Sequence, residues 1–253
     1  MNPTPAFFAL IIGTEILNRR RQDKHFDFLT HELIRRGHTL TGSFTIEDDP
    51  ALIVQTIRFI ASQPNAVLLS FGGIGSTPDD HTRKCAAIAL RDGQLHTHDE
   101  AHRIISERIK AMQIPNGHYP LRMAELPRGA RLLDNPVNGM PAFSLDDRYF
   151  FMPGFPEMSH PMVTAILDRY FDDAAPMHRF GMTALCRESD LIEVMEHLPK
   201  GVELSSLPKI YSDGYRTDIS VASQDRDLAQ KAFVQFERYC REHAIPYSLH
   251  DAG

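Results

Sequence analysis

Cysteine is scarce in this sequence, and the three that occur are far apart. Cys85, Cys186 and Cys240 form no Cys-x-x-Cys pair and are odd in number. That excludes a disulfide scaffold and fits reduced thiols in a cytoplasmic setting. Long apolar runs are missing too. The run from Ala6 to Ile12 follows neither a basic leader nor a small-residue cleavage site, and nothing approaches the roughly 18 uninterrupted apolar residues that a bilayer-spanning helix needs. No membrane partner is therefore expected. Nor is there an excess of positive charge. Lys plus Arg is 27 against 33 for Asp plus Glu, a net −6, which argues against a broad nucleic-acid footprint. Internal repeats and low-complexity tracts are absent. What remains is an ordinary globular profile, 42% apolar and 24% charged over 253 residues. That is enough for one large domain, or a medium domain with a small companion.

Strand and helix patterns alternate along the first two thirds. Ala6 to Ile12 is continuously apolar and stops at Gly13, as does Val67 to Phe71 at Gly72-Gly73; both read as strands buried on two faces. Phe26, Leu29, Leu33 and Ile34 keep helical spacing and Gly37 supplies a stop. A second strand falls within His38 to Ile46. Asp49-Pro50 reads as an N-cap and first-turn proline for a helix carrying Ile53, Ile57 and Ile60. Helices over Arg83 to Arg91 and around Ala101 to Met112, a strand at Tyr149 to Met152 and a helix from Pro156 to about Phe171 complete the alternation. The pattern predicts an α/β three-layer sandwich with a mostly parallel sheet over residues 1–173. A linker is expected at 172–176. After it comes a small α+β domain over 174–253, in the order strand, helix, two strands around Ser212 to Tyr215, and helix.

The segment richest in chemistry is Phe71-Gly72-Gly73-Ile74-Gly75-Ser76-Thr77-Pro78-Asp79-Asp80-His81-Thr82. A buried strand empties into a glycine-rich loop that feeds a helix, an arrangement that lets backbone approach a phosphate or carboxylate. Ser76 and Thr77 add hydroxyls. Asp79 and Asp80 would repel a bare phosphate, so they point to a bridging divalent cation. A tight turn with Asp79, Asp80 or Thr82 as helix cap fits the composition equally well. The loop is not a Walker loop, since no Gly-Lys-Ser/Thr follows, and it lacks the third glycine of the dinucleotide fingerprint. Gly13-Thr14-Glu15 follows the first strand in the same topological position, and Arg19 to Arg21 lies just behind it. Pro153 to Met158 is a third strand-to-helix junction, with Gly154 able to wall a pocket. His96, His98 and His102 invite a metal reading, although such stretches before helices are also common caps.

Four segments together resemble the MoaB/Mog-type molybdopterin-binding domain, in the branch found in competence/damage-inducible protein A (CinA): Ile12 to Leu17, Gly72 to Thr82, Arg122 to Ala130 with Asn135 to Phe143, and Met152 to Met158. The resemblance covers about residues 6–171. It implies a three-layer α/β fold cradling a pterin or nucleotide phosphate, with molybdopterin among the ligands. For this branch it implies divalent-metal-dependent hydrolysis of an ADP-ribose-like diphosphate, and a homo-oligomer, more readily a dimer. Carried onto this chain, Gly72, Gly73, Gly75, Ser76 and Thr77 hold phosphate, and Asp79 and Asp80 hold Mg²⁺ or a transition metal. Gly13, Thr14 and Glu15 line the opposite wall; Thr82, Gly154 and Asp23 complete the ligand set, and His81 or Glu15 is the general base. His25 stands where an asparagine is usual in that branch, and no amidohydrolase domain follows. A non-catalytic molybdopterin- or nucleotide-binding protein, or a scaffold, is the alternative.

Overall fold

The computed structural model describes residues 4–114, 118–171 and 177–250. The chain divides into two units, Met1–Ile34 with Thr39–Asp173 and Arg35–His38 with Ala174–Gly253. The linker expected at 172–176 lies outside the described residues.

In chain order the elements up to residue 170, all in the first unit but for Arg35 at the end of α2, are β1 (Ala6–Ile12), α1 (Thr14–Leu17), α2 (His25–Arg35), β2 (Leu40–Ile46), α3 (Pro50–Ala61), β3 (Ala66–Phe71), α4 (Thr82–Leu90), β4 (Leu95–Thr97), α5 (Asp99–Ala111), α6 (His118–Leu121), β5 (Glu125–Pro127), β6 (Arg131–Leu133), β7 (Ala142–Leu145), β8 (Tyr149–Met152) and α7 (Pro156–Tyr170). The main sheet has the order β2-β1-β3-β8-β7-β6. β1 pairs in parallel with β2 and β3, and β3 with β8. Every residue of β3 and all but the first of β1 is buried, so both faces are covered, as their unbroken apolar sequences require. The prediction of central parallel strands holds. β7 runs antiparallel to β8, and β6 to β7.

Helix boundaries follow local chemistry. Asp49 caps α3, its Oδ1 accepting from the Leu52 N–H at 2.7 Å, with Pro50 in the first turn. The His98 imidazole caps α5 by accepting from the Ala101 N–H at 3.3 Å, and His96 lies 3.5 Å from Asp92. That accounts for two of the three spaced histidines.

The second unit contains β9 (His178–Ala184), α8 (Ile192–Glu196), β10 (Glu203–Tyr211), β11 (Gly214–Ser223), α9 (Arg226–Glu242) and β12 (Tyr247–His250). Its antiparallel sheet has the order β10-β11-β9-β12. Met182, Ile219, Val221, Phe233 and Phe236 form its separate core. No helix among the described residues is long and apolar enough to cross a membrane.

Candidate functional site

Strand register decides where the loops meet. Ile12 pairs with Ile46, Ile11 with Phe71, and Phe71 with Met152. The carboxyl ends of β2, β1, β3 and β8 are therefore level, and the loops leaving them open on one side of the sheet. Because β7 is reversed, with Phe143 beside Phe151, the β6–β7 connection returns to that same side. The result is an open cleft of about 480 Å³, at the carboxyl end of an open α/β sheet where ligands bind.

Three glycines permit the close approach of backbone that this end requires. Gly72 has φ of +103°, and a Cβ there would strike the Ile12 carbonyl oxygen. A Cβ on Gly154 would lie 3.3 Å from the Gly72 Cα, so these two loops touch through bare backbone. Gly73 has φ of +68° and sits against the Thr82 side chain. Thr82 is fully buried; its hydroxyl donates to the Gly72 carbonyl at 2.9 Å and its N–H to the Gly73 carbonyl at 2.9 Å. The first amide of α4 is thus spent inside the loop.

The loop tip is held from both sides. Asp80 Oδ2 accepts from the Thr77 N–H at 2.8 Å and the Thr77 hydroxyl at 2.6 Å. Beneath it, the buried Arg83 guanidinium donates to the carbonyls of Gly75 at 2.8 Å, Glu125 at 3.1 Å and Arg122. Asp79 is exposed; the neighbouring Thr77 hydroxyl and the backbone N–H of Asp79 itself hold its carboxyl below the usual aspartate value. Across the cleft, Asp48 Oδ2 accepts from both the N–H and hydroxyl of Thr14 at 2.8 Å. The Glu15 carboxylate folds over Gly13, and the Arg21 guanidinium lies 5.1 Å from the centre of the Phe155 ring.

His25 closes the floor. It is 2% exposed, stacks on Phe71 with 4.3 Å between centroids, and its Nε2 lies 3.3 Å from the Gly154 carbonyl oxygen. A carbonyl only accepts, so Nε2 carries the proton. Burial lowers its pKa from 6.5 to about 4; Asp23 and the Gly154 carbonyl oppose that shift, while His160 and Arg21 assist it. Asp23 caps α2, accepting from the N–H groups of His25 at 2.9 Å and Phe26 at 3.1 Å.

Of the residues singled out in the sequence, Glu15, Gly72, Gly73, Gly75, Ser76, Thr77, Asp79, Asp80 and Gly154 share the cleft. Gly13, Thr14, Asp23, His81 and Thr82 are not in its lining; Thr14, Asp23 and Thr82 brace the residues that are. The lining also includes Asp48, Met123, Asn135, Asn138, Met140 and Phe155, which residue-by-residue reading had not assigned to a ligand. Asn135 and Asn138 were within reach, because their segment was one of the four carrying the resemblance. Among the described residues no group of three or more His, Cys, Asp or Glu is placed to hold a metal ion.

The family model described as a probable molybdopterin binding domain matches residues 8–172. A protein of Archaeoglobus fulgidus is 27% identical over 91% of this chain and 96% of its own length. A CinA-like protein of Frankia casuarinae is 28% identical over 87% of this chain, which spans only 54% of that protein. Among solved structures, CinA of Thermoplasma acidophilum, a protein of unknown function, matches 66% of this chain and 99% of its own with a TM-score of 0.59. At 24% identity that likeness shows the fold alone. With the family model spanning most of its length, the chain belongs to the probable molybdopterin binding domain family, with CinA-like proteins among its relatives.

Proposed function

We propose that the cleft binds a phosphate-bearing pterin or nucleotide together with a divalent cation. One observation carries this reading: the glycine loop built for backbone approach is ringed by acids. Glu15, Asp48, Asp79 and Asp80 line the cleft against Arg21 as the cationic side chain of the lining. A bare phosphate would meet net negative charge there, whereas a cation between carboxylate and phosphate reverses the sign. The donor set fits such a shared cation and not a self-sufficient metal centre. Asp79 is ionised and exposed, and Asp80 has Oδ1 left over after Oδ2 has bound Thr77. The remaining ligands would be water and phosphate oxygens. When bound, the cation would offset charge on the phosphoryl oxygens.

The Gly73–Ser76 backbone and the Ser76 hydroxyl would hold the phosphate, and Arg83 would keep that loop in place. Hydrolysis of an ADP-ribose-like diphosphate is the finer form of this reading. Glu15 is then the better-placed general base, because it lines the cleft and His81 does not.

Calorimetric titration with ADP-ribose tests the proposal. With Mg²⁺ present the wild type should bind, and EDTA should weaken binding tenfold or more. Asp79→Asn should bind as weakly in Mg²⁺ as the wild type does in EDTA, with its thermal midpoint unchanged. Equal wild-type affinity in EDTA and Mg²⁺ would remove the cation from the proposal.

A further inference from the structure

Two amides in the β6–β7 connection are turned by their own loop. Asn135 Oδ1 accepts from the Val137 N–H at 3.1 Å, and its carbonyl accepts from the Gly139 N–H at 2.9 Å. Since an N–H can only meet the oxygen end of the amide, the orientation is fixed and Nδ2 is the end left over. Asn138 repeats the arrangement, with Oδ1 accepting from the Met140 N–H at 2.9 Å and Nδ2 within 3.6 Å of the Met158 sulfur. The two differ in one respect. Asn138 Nδ2 has a thioether partner, whereas Asn135 is only 4% exposed and its Nδ2 is buried without any hydrogen-bond partner. Leaving a buried donor unmatched costs stability, and each such group in a native fold calls for an explanation. Asn135 lines the cleft, and an acceptor on a ligand seated against it would match the unpartnered Nδ2.

Strand order says which end of a ligand would do so. The acids come from the loops after β2, β1 and β3, on one side of the cleft. The loops next to β8 and β7, on the other side, bring Met140, Pro141, Phe155 and Met158. Methionine and aromatic surfaces suit the face of a flat ring, and an amide in their midst reads an acceptor on its edge. We propose that Asn135 is the specificity-determining residue for the heterocyclic end of the ligand, its Nδ2 donating to a ring nitrogen or carbonyl oxygen of a purine or pterin. This rests on the phosphate-ligand reading above, which fixes the opposite end.

Titrations in Mg²⁺ with AMP, GMP, dihydroneopterin phosphate and ribose 5-phosphate separate the two ideas. The wild type should bind at least one heterocyclic phosphate about tenfold or more tighter than ribose 5-phosphate. The identity of that ligand tells purine from pterin. Asn135→Ser keeps an oxygen for the Val137 N–H and shortens the donor away from the cleft. It should lose most of that preference and hold ribose 5-phosphate as the wild type does. A spectrum of ¹⁵N-labelled wild type gives a second reading that needs no variant: the Asn135 side-chain amide signals should shift with the preferred heterocyclic phosphate and stay fixed with ribose 5-phosphate. No preference over ribose 5-phosphate in the wild type, or an equal loss for all ligands in Asn135→Ser, overturns this inference and leaves the phosphate site standing. Absence of binding by all four removes both.

Discussion

His25 shows how a residue that looks like part of a solvated loop becomes the floor of a cleft. In sequence it follows three arginines and a lysine and precedes a helix, a setting in which a histidine is ordinarily wet. In the fold it is buried against Phe71 and tied to Gly154. Because its folded pKa is lowered to about 4 from 6.5, the unfolded chain takes up the proton first as pH falls. The stability it confers is complete above pH 6.5 and lost on descending towards 4, and linkage sets the loss at no more than about 3 kcal/mol. His25→Phe keeps a ring on Phe71 and has nothing to titrate. Urea titrations at pH 7.0, 5.5 and 4.5 should show wild-type stability falling more steeply than that of His25→Phe. Parallel slopes would mean that the ring takes up a proton as readily in the folded state as in the unfolded one. The burial was illegible in sequence because its cause, the strand end at Phe71 and the loop at Gly154, lies 46 and 129 residues away in the chain.

Elements with a strong local signature were legible. β1 and β3 show as unbroken apolar runs that stop at glycine, and α3 shows in Asp49-Pro50 with its spaced isoleucines. The glycine loop after β3 was legible for the same reason, since three glycines in four residues make sense only where Cβ atoms do not fit. Less legible was everything fixed by pairing partners. β4, β5 and β6 are 3 residues long and β7 only 4, too short for any periodicity to show. The reversal at β7 that brings Asn135 to the cleft leaves no local trace. Glycine substitutions make the physical difference measurable. Gly129 has φ of +75° with nothing within 4 Å of a built Cβ, so Gly129→Ala costs only backbone strain, about 1 kcal/mol. At Gly72 a φ of +103° combines with collision against the Ile12 carbonyl, which is backbone and cannot swing aside. Gly72→Ala should therefore lose about 3 kcal/mol or more in urea unfolding. Similar costs at the two sites would show that the strand ends part without penalty.

At the scale of the molecule, the two cores share no residue. The core of the first unit draws on buried residues from Phe7 to Leu167, and that of the second on buried residues from Met182 to Cys240. Every residue lining the candidate site lies between Ile11 and Met158. A domain with its own core can fold alone, and the first unit is far above the size at which apolar burial becomes marginal. A protein comprising residues 1–171 should therefore unfold in one cooperative thermal transition. It should also bind ADP-ribose in Mg²⁺ with an affinity within about twofold of the full chain, because binding depends only on groups that it retains. A cooperative transition with binding lost would mean that residues beyond 171 complete the site, and the ligand reading built on the first unit's loops alone would fall. Loss of the transition itself would mean that the first core does not suffice. The full chain's stability would then be a single quantity to which both cores contribute.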